Sequence, residues 1–280
     1  MWEGDCMVLR LGITAGLIAI LSACAADGKI KLEDQEKFGR VKSAVWFEFK
    51  QQLPDSGGDQ FHQFWMGDRG RLCVEMQEAA PVIAQSWLDT IGSIPTNADE
   101  LETCERHKQY WTTLADATAP LYDKGFNQFV FDFKVPGRER REPPEEEVYA
   151  AGYDDQDPFF NGTLTYIDEN PYRAVADELD CADYDWYETP NRVLPDVLEE
   201  YIVADGDAEI TIKNDSVRKV EFKDGELLDV DGDPAGGIEA KGKFTYCEVE
   251  FTGALEYLVQ APPLLDVVTD TTADPTPADE

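Results

Sequence analysis

Three short stretches of this chain carry residue types and spacings that could do chemistry. Asp229, Asp231 and Asp233 alternate in Asp-Val-Asp-Gly-Asp, just ahead of Gly236 and Gly237. Hard oxygen donors at the first, third and fifth places of such a loop can wrap a calcium ion. Yet Pro234 stands at the sixth place, where a calcium loop turns on glycine, and Ala240 at the twelfth, where it has a bidentate glutamate. A solvated turn between strands accounts for the same letters. Acidic clusters at Asp154, Asp155 and Asp157 and at Asp205 and Asp207 are weaker versions of that signal. In residues 181–188, Tyr184, Trp186 and Tyr187 interleave with Asp183 and Asp185. Flat aromatics beside carboxylates can stack on and hydrogen-bond a sugar, and they can equally seal a core beside Cys181. Asp55-Ser56-Gly57-Gly58 sets a serine in a turn, and His62 and His107 are the chain's two histidines and so its two imidazole bases.

The familiar entry points to other chemistries are missing. The sequence holds no Gly-x-Ser-x-Gly elbow, no His-Glu-x-x-His helix, no Gly-x-x-x-x-Gly-Lys-Ser/Thr loop and no Gly-x-Gly-x-x-Gly fingerprint. Paired carboxylates of the glycosidase kind carry no information here, because among 58 acids some pair always lies at a suitable spacing. Against those 58 acids stand 24 Lys and Arg, for a formal net charge of −34. So acidic a surface repels phosphate backbones and anionic headgroups, which excludes nucleic acid as a partner. With 42% apolar and 11% aromatic residues in 280, the chain can nevertheless bury a core of ordinary globular size.

Residues 11–23 are an uncharged, mostly apolar run preceded by Arg10. That is the layout of a secretory signal, and it is too short to span a bilayer. It ends in Leu21-Ser22-Ala23-Cys24, which resembles the lipobox of bacterial lipoproteins. The resemblance implies cleavage before Cys24, a diacylglyceryl thioether on its sulfur and an acylated new amino terminus. Alanines at 25 and 26 place no aspartate after that cysteine, which by family analogy implies sorting to the outer membrane of the cell envelope. Glu3 and Asp5 do not suit a basic leader, so Met7 is the expected start. The Asp55-Ser56-Gly57-Gly58 turn, in turn, resembles the nucleophile segment of chymotrypsin-type proteases over four residues. Pro54 replaces that family's glycine and neither histidine lies in its histidine motif, so a hairpin loop with ordinary turn residues is preferred.

Beyond Cys6 and Cys24, the cysteines are Cys73, Cys104, Cys181 and Cys247. An even remainder in an exported chain predicts two disulfides. Of the three possible pairings, Cys73 with Cys104 and Cys181 with Cys247 is the one expected, because each pair would then staple one half of the chain. No cysteine spacing matches a zinc hairpin.

The elements that must position these residues read as α+β, with antiparallel sheet, two main helices in the N-terminal half and a β-meander in the C-terminal half. After the signal (1–23), residues 24–38 read as a tether and 39–260 as one domain, with halves 39–136 and 161–260 joined by a charged loop at 137–160. Residues 261–280, with four prolines and no basic residue, read as a disordered acidic tail. Residues 43–50 and 60–67 form a hairpin. A helix runs from Leu72 to Ile91, kinked or split by Pro81 and capped by Gly92. A second is capped by Thr96 with Asp99, buries Leu101, Cys104, Trp111, Leu114 and Ala115, and ends at Pro120. Phe129, Phe131, Phe133 and Val135 mark a half-buried strand. Arg138, Arg140 and Arg141 are neutralised by the acids that follow them. A strand is expected at 162–167, with helical stretches near 172–180 and 195–203. Strands follow around Ile210 and Ile212, Val220 and Phe222, and Thr245 to Phe251, with Asp224-Gly225 as a hairpin turn. Over about 45 residues this ending resembles a pattern in uncharacterised exported lipoproteins of myxobacterial type, from which no function is implied.

Taken together, the sequence predicts a non-catalytic, lipid-anchored envelope protein presenting a protein-interaction or ligand-binding surface to an envelope protein or glycan. A calcium- or carbohydrate-binding module is the alternative, and a hydrolase with an unrecognised site comes third.

Overall fold

The computed structural model describes residues 28–33, 38, 40–51, 60–95, 97–134, 143–152, 157–182 and 198–251. The lipobox and Cys24, the Asp55-Ser56-Gly57-Gly58 turn, Thr96, Arg138, Arg140 and Arg141, Asp154 and Asp155, the Tyr184, Trp186 and Tyr187 segment and the acidic tail lie outside the described residues.

The chain runs β1 (Gly28–Leu32), β2 (Ser43–Gln51), β3 (Gln60–Gly67), α1 (Leu72–Asp89), a 3-10 turn (Ile91–Ser93), α2 (Glu100–Tyr122) and β4 (Phe126–Lys134). It continues with β5 (Val148–Ala151), β6 (Phe159–Ile167), α3 (Pro171–Glu178), β7 (Leu198–Asn214), β8 (Val217–Leu228) and β9 (Pro234–Phe251). The fold is mixed α+β, with the nine strands of the described residues in one sheet of order β1-β9-β2-β3-β4-β6-β5-β7-β8. Two further pairings, β9 with β8 and β6 with β7, join its ends, so β2, β3, β4, β6, β7, β8 and β9 form a closed ring of strands.

Alternation along each strand explains how one ring serves two cores. Facing inward are Trp46, Phe64, Phe129, Phe131, Phe160, Phe222 and Phe244, which pack with Tyr149 of β5 into one buried cluster. Phe64 meets Phe133 and Phe244 with ring centroids 5.1 and 5.2 Å apart, and Phe160 meets Phe222 at 5.4 Å. Side chains therefore fill the barrel, as they do in barrels with few strands. Facing outward, Val45, Phe47, Phe49, Trp65, Cys247 and Val249 lie under α1 and α2, and join Met76, Ile83, Tyr110 and Leu114 in the second core.

Several expectations need correction. The sheet is not wholly antiparallel: β2 and β9 run parallel, with Val45 opposite Thr245 and Glu48 opposite Glu248, and so do β5 and β6. No local pattern announces this, because the two partners lie some 200 positions apart. The segment taken for a tether contains β1, which pairs with β9 from Gly28 opposite Gly242 to Leu32 opposite Ile238. The charged 137–160 stretch contains β5, whose Tyr149 is fully buried. Residues from Leu198 onward are strand, where helix was expected to 203.

Neither proline breaks its helix as predicted. Pro81 lies inside α1 and Pro120 inside α2, which continues to Tyr122. In both cases the proline and the residue four places before it, Gln77 or Asp116, lie on the exposed side, where a carbonyl without its helical donor can meet water. Asp99 caps α2 by accepting from the Glu102 amide at 2.8 Å, whereas Leu101 is 55% exposed and not part of the buried face. The C-cap of α1 is Thr90, with Gly92 in the 3-10 turn beyond it. Asp224 and Gly225 sit inside β8 at a register shift, and the β7–β8 turn is Asp215-Ser216. A Cβ on Gly225 would fall 2.2 Å from the Phe222 ring, so this glycine serves core packing and not a hairpin.

A candidate site at one end of the barrel

Four sheet positions change from apolar to polar at the same level of the barrel. On β2 the inward series Ala44, Trp46 continues to Glu48 and Lys50. On β3 it passes from Phe64 to His62, and on β9 from Phe244 to Tyr246 and Glu248. On β8 it passes from Val220 to Arg218. Register holds these together, with Glu48 between His62 on one side and Glu248 on the other.

The Tyr246 hydroxyl lies between the carboxylates of Glu48 and Glu248, 2.9 Å from Glu248 Oε2. Lys50 Nζ donates to Glu248 Oε2 at 2.6 Å and lies 3.5 Å from Glu48 Oε1. Beside them the Arg218 guanidinium sits 4.2 Å from the centre of the Trp46 ring and donates from Nη1 to the Asn214 carbonyl at 2.7 Å. The other neighbours of Trp46 are His62, Phe64 and Tyr246, at 5.8, 5.8 and 5.2 Å between centroids. Glu48, His62 and Arg218 are all buried, while Lys50 and Glu248 reach solvent.

The electrostatics follow from these contacts. The hydrogen bond to Glu248 raises the Lys50 ammonium above its usual range, and that same bond, with the one from Tyr246, holds the Glu248 carboxyl below its own. Burial, reinforced by bonds to the two carboxylates, raises the Tyr246 hydroxyl. Desolvation lowers Arg218, and it stays charged because a guanidinium is not deprotonated in proteins. Each shifted group is thereby fixed in one state at neutral pH: Lys50 and Arg218 charged, Glu248 ionised, Tyr246 protonated. Such an arrangement binds and orients polar groups; none of these four side chains is poised to exchange a proton near neutrality.

Other predicted residues fall elsewhere. His107 is on α2 against the helical core, and burial lowers its pKa. It is not near His62, which belongs to the barrel interior. Asp229 Oδ1 accepts from the backbone amides of Asp231 and Asp233 at 3.0 and 2.9 Å, so its carboxylate holds the β8–β9 turn together. Asp205 Oδ1 similarly accepts from Gly206 N at 2.8 Å, and Asp157 lies in an exposed bend. Among the described residues, no group of three or more His, Cys, Asp or Glu is arranged to hold a metal ion.

All four remaining cysteines are in disulfides, but the pairs differ from those expected. Cys73 joins Cys247 and Cys104 joins Cys181, with Cα–Cα distances of 5.7 and 5.5 Å. The first ties α1 to β9, and the second ties α2 to the segment after α3. Because β9 closes the ring beside β2, under α1, the two halves of the chain interleave and are not stapled separately.

A second polar row runs across the outer face beneath the helices. Gln128 on β4 is opposite Thr165 on β6, which is opposite Glu200 on β7. Gln128 and Thr165 are 0% and 1% exposed, and among the described residues neither side chain has a hydrogen-bond partner. Burial raises the Glu200 carboxyl to about 7.

Sequence reasoning missed the barrel-end cluster. Its signal was present in the two parallel series Ala44-Trp46-Glu48-Lys50 and Phe244-Tyr246-Glu248-Glu250, which turn polar in step. Reading it required knowing that these strands are neighbours. Compared with known proteins, the chain matches no family model, no curated protein and no solved structure.

Proposed function

We propose that this protein is a bacterial envelope lipoprotein, held to the outer membrane through acylated Cys24, and that it acts without catalysis as a ligand- or protein-binding platform. The observation that carries the reading is the pair of disulfides, which uses every cysteine after Cys24 and suits an oxidising compartment. The single cysteine left at the end of the apolar run is then the one the lipobox resemblance assigns to lipid. Three acyl chains would give a durable anchor, since one alone binds weakly and reversibly.

The filled barrel interior directs recognition to the surface, and the Glu48, Lys50, Arg218, Tyr246 and Glu248 end offers the fixed charges for it. A polar or zwitterionic group from an envelope protein or glycan is the chemistry that such alternating charges would take.

Intact mass and N-terminal analysis of the native product test the proposal. The expected result is a chain beginning at Cys24 with the mass of its acyl groups, recovered in the membrane fraction, and a Cys24→Ala variant released from it. An unmodified Cys24 in a chain that retains residues 7–23 would overturn it.

A further inference from the structure

The outer face of β1, β9 and β8 reverses the charge of the molecule. In a chain of net charge −34, these three strands carry, besides the exposed Asp224 and Glu226 farther along β8, Lys29 and Lys31, Lys241 and Lys243, and Lys219 and Lys223, interrupted by Glu221 and Glu239. Alternation puts all of them on the side away from the phenylalanine core, whose inward residues here are Val220, Phe222, Ala240 and Phe244. Lys29, Lys31, Lys223 and Lys241 line one shallow cleft of about 130 Å³ together with Glu221 and Glu239.

Within that cleft Lys31 is paired with Glu239 at 3.1 Å, and Lys223 with Glu221 at 3.4 Å. Lys29 and Lys241 differ. They are direct cross-strand partners, both exposed, and among the described residues neither has an acidic side chain within ion-pair distance, although Lys241 also stands opposite Glu221 across its other edge. Like charges directly opposite each other on adjacent strands are destabilising. Nothing about the composition forces this, with more than twice as many acids as bases available. An anion bridging the two ammonium groups removes the repulsion.

Position identifies the anion. Cys24 precedes Gly28, the first residue of β1, by four residues, a span of at most about 14 Å. Resting on the lipid-anchor reading above, we propose that the Lys29, Lys31, Lys223 and Lys241 face docks on the phosphate headgroups of anionic lipids in the membrane that holds Cys24. The bulk acidity does not prevent this, because acids farther away than about 10 Å are largely screened at 0.1 M salt. The same acidity orients the domain by turning its other faces away from the bilayer.

The test uses the full chain with Cys24→Ser, so that no acyl group contributes and the outcome is independent of whether Cys24 is modified. Flotation with vesicles of phosphatidylcholine alone is compared with vesicles containing about one third phosphatidylglycerol. The apolar run at 11–23 acts on both kinds, so the ratio reads the lysine face. Expected is a preference for the anionic vesicles that falls with salt. Lys29→Gln with Lys241→Gln should lower that preference by about twenty-fivefold, at roughly fivefold per lysine. Lys124→Gln, exposed beyond the end of α2, should leave it unchanged. Circular dichroism and retained disulfides verify folding of each variant. Equal binding to the two vesicle types, or equal loss in the Lys124 variant, would overturn the proposal. Failure of the lipid-anchor reading would show separately, as an unmodified wild-type Cys24.

Discussion

Cys73, near the start of the first helix, is bonded to Cys247 in the last strand across 174 positions, and the Cys104–Cys181 bond lies wholly inside that loop. The nesting means that the outer bond fixes β9 under α1 while the inner one fixes α2 to the chain beyond α3. In the chain-entropy treatment, loops of these sizes contribute about 5 and about 4.5 kcal/mol when closed singly. The Cys73→Ser/Cys247→Ser variant should therefore melt well below the wild type, and peptide mapping without reductant should recover the 73–247 and 104–181 linkages. Recovery of a 73–104 linkage would refute the nested arrangement.

Arg218 is tested by substitution with lysine. Its planar guanidinium covers the Trp46 ring and bonds the Asn214 carbonyl at the same time. A lysine ammonium cannot reproduce that stacking, so Arg218→Lys should cost about 1 to 2 kcal/mol in urea unfolding, and Arg218→Ala more, through lost packing.

Tyr246→Phe removes the hydroxyl that separates Glu48 from Glu248. The destabilisation should be greater at pH 8, where the Glu248 carboxylate is ionised, than at pH 4. In the wild type the lowered pKa of Glu248 contributes stability above the unfolded value of about 4.5, which is lost as pH falls through the folded value. Urea unfolding of wild type and variant at the two pH values measures the difference. A penalty that does not vary with pH would show that the hydroxyl acts by packing alone.

Glu200 behaves in the opposite sense. Its folded pKa of about 7 lies above the unfolded value, so the native state binds the proton more tightly and ionisation works against folding. Its cost is absent below about pH 4.5, grows as pH rises, and is complete above pH 7, at up to about 3 kcal/mol. Glu200→Gln should raise stability at pH 8 and leave it nearly unchanged at pH 4. Equal effects at both pH values would refute burial as the cause.

Gly225→Ala probes the register shift in β8. A methyl group there meets the Phe222 ring and the Ile238 side chain at 2.2 and 2.8 Å, so about 1 to 3 kcal/mol should be lost in urea unfolding. An unchanged midpoint would show that β8 can relax around the methyl group.

How much of this was legible beforehand depended on how local the cause is. The inward phenylalanines of β4 and the α3 segment follow from spacing within a few residues, and the structure has them where the pattern put them, whereas Asp99, expected as the partner of a Thr96 cap, is itself the cap of α2. The failures are non-local. Whether Val45 faces Thr245, whether Gly28 has a strand to join, and which cysteine meets Cys73 all depend on where β9 lands. No spacing rule contains that. Pro81 and Pro120 failed as helix breakers because the effect of a proline depends on which side of the helix it occupies, which the sequence gives only once the buried face is known. The barrel-end cluster shares this cause: Glu48, Tyr246 and Glu248 are unremarkable apart and become a site through the β2–β9 register.

The parallel seam between β2 and β9 also sets an order of events. Because the strand that completes the ring follows every other described strand, the barrel cannot shut before residues 234–251 are available. Contacts of such long range form slowly, and until they do the aromatic strands stay exposed. A polypeptide of this design stays open along that seam until its final described strand can be laid in place.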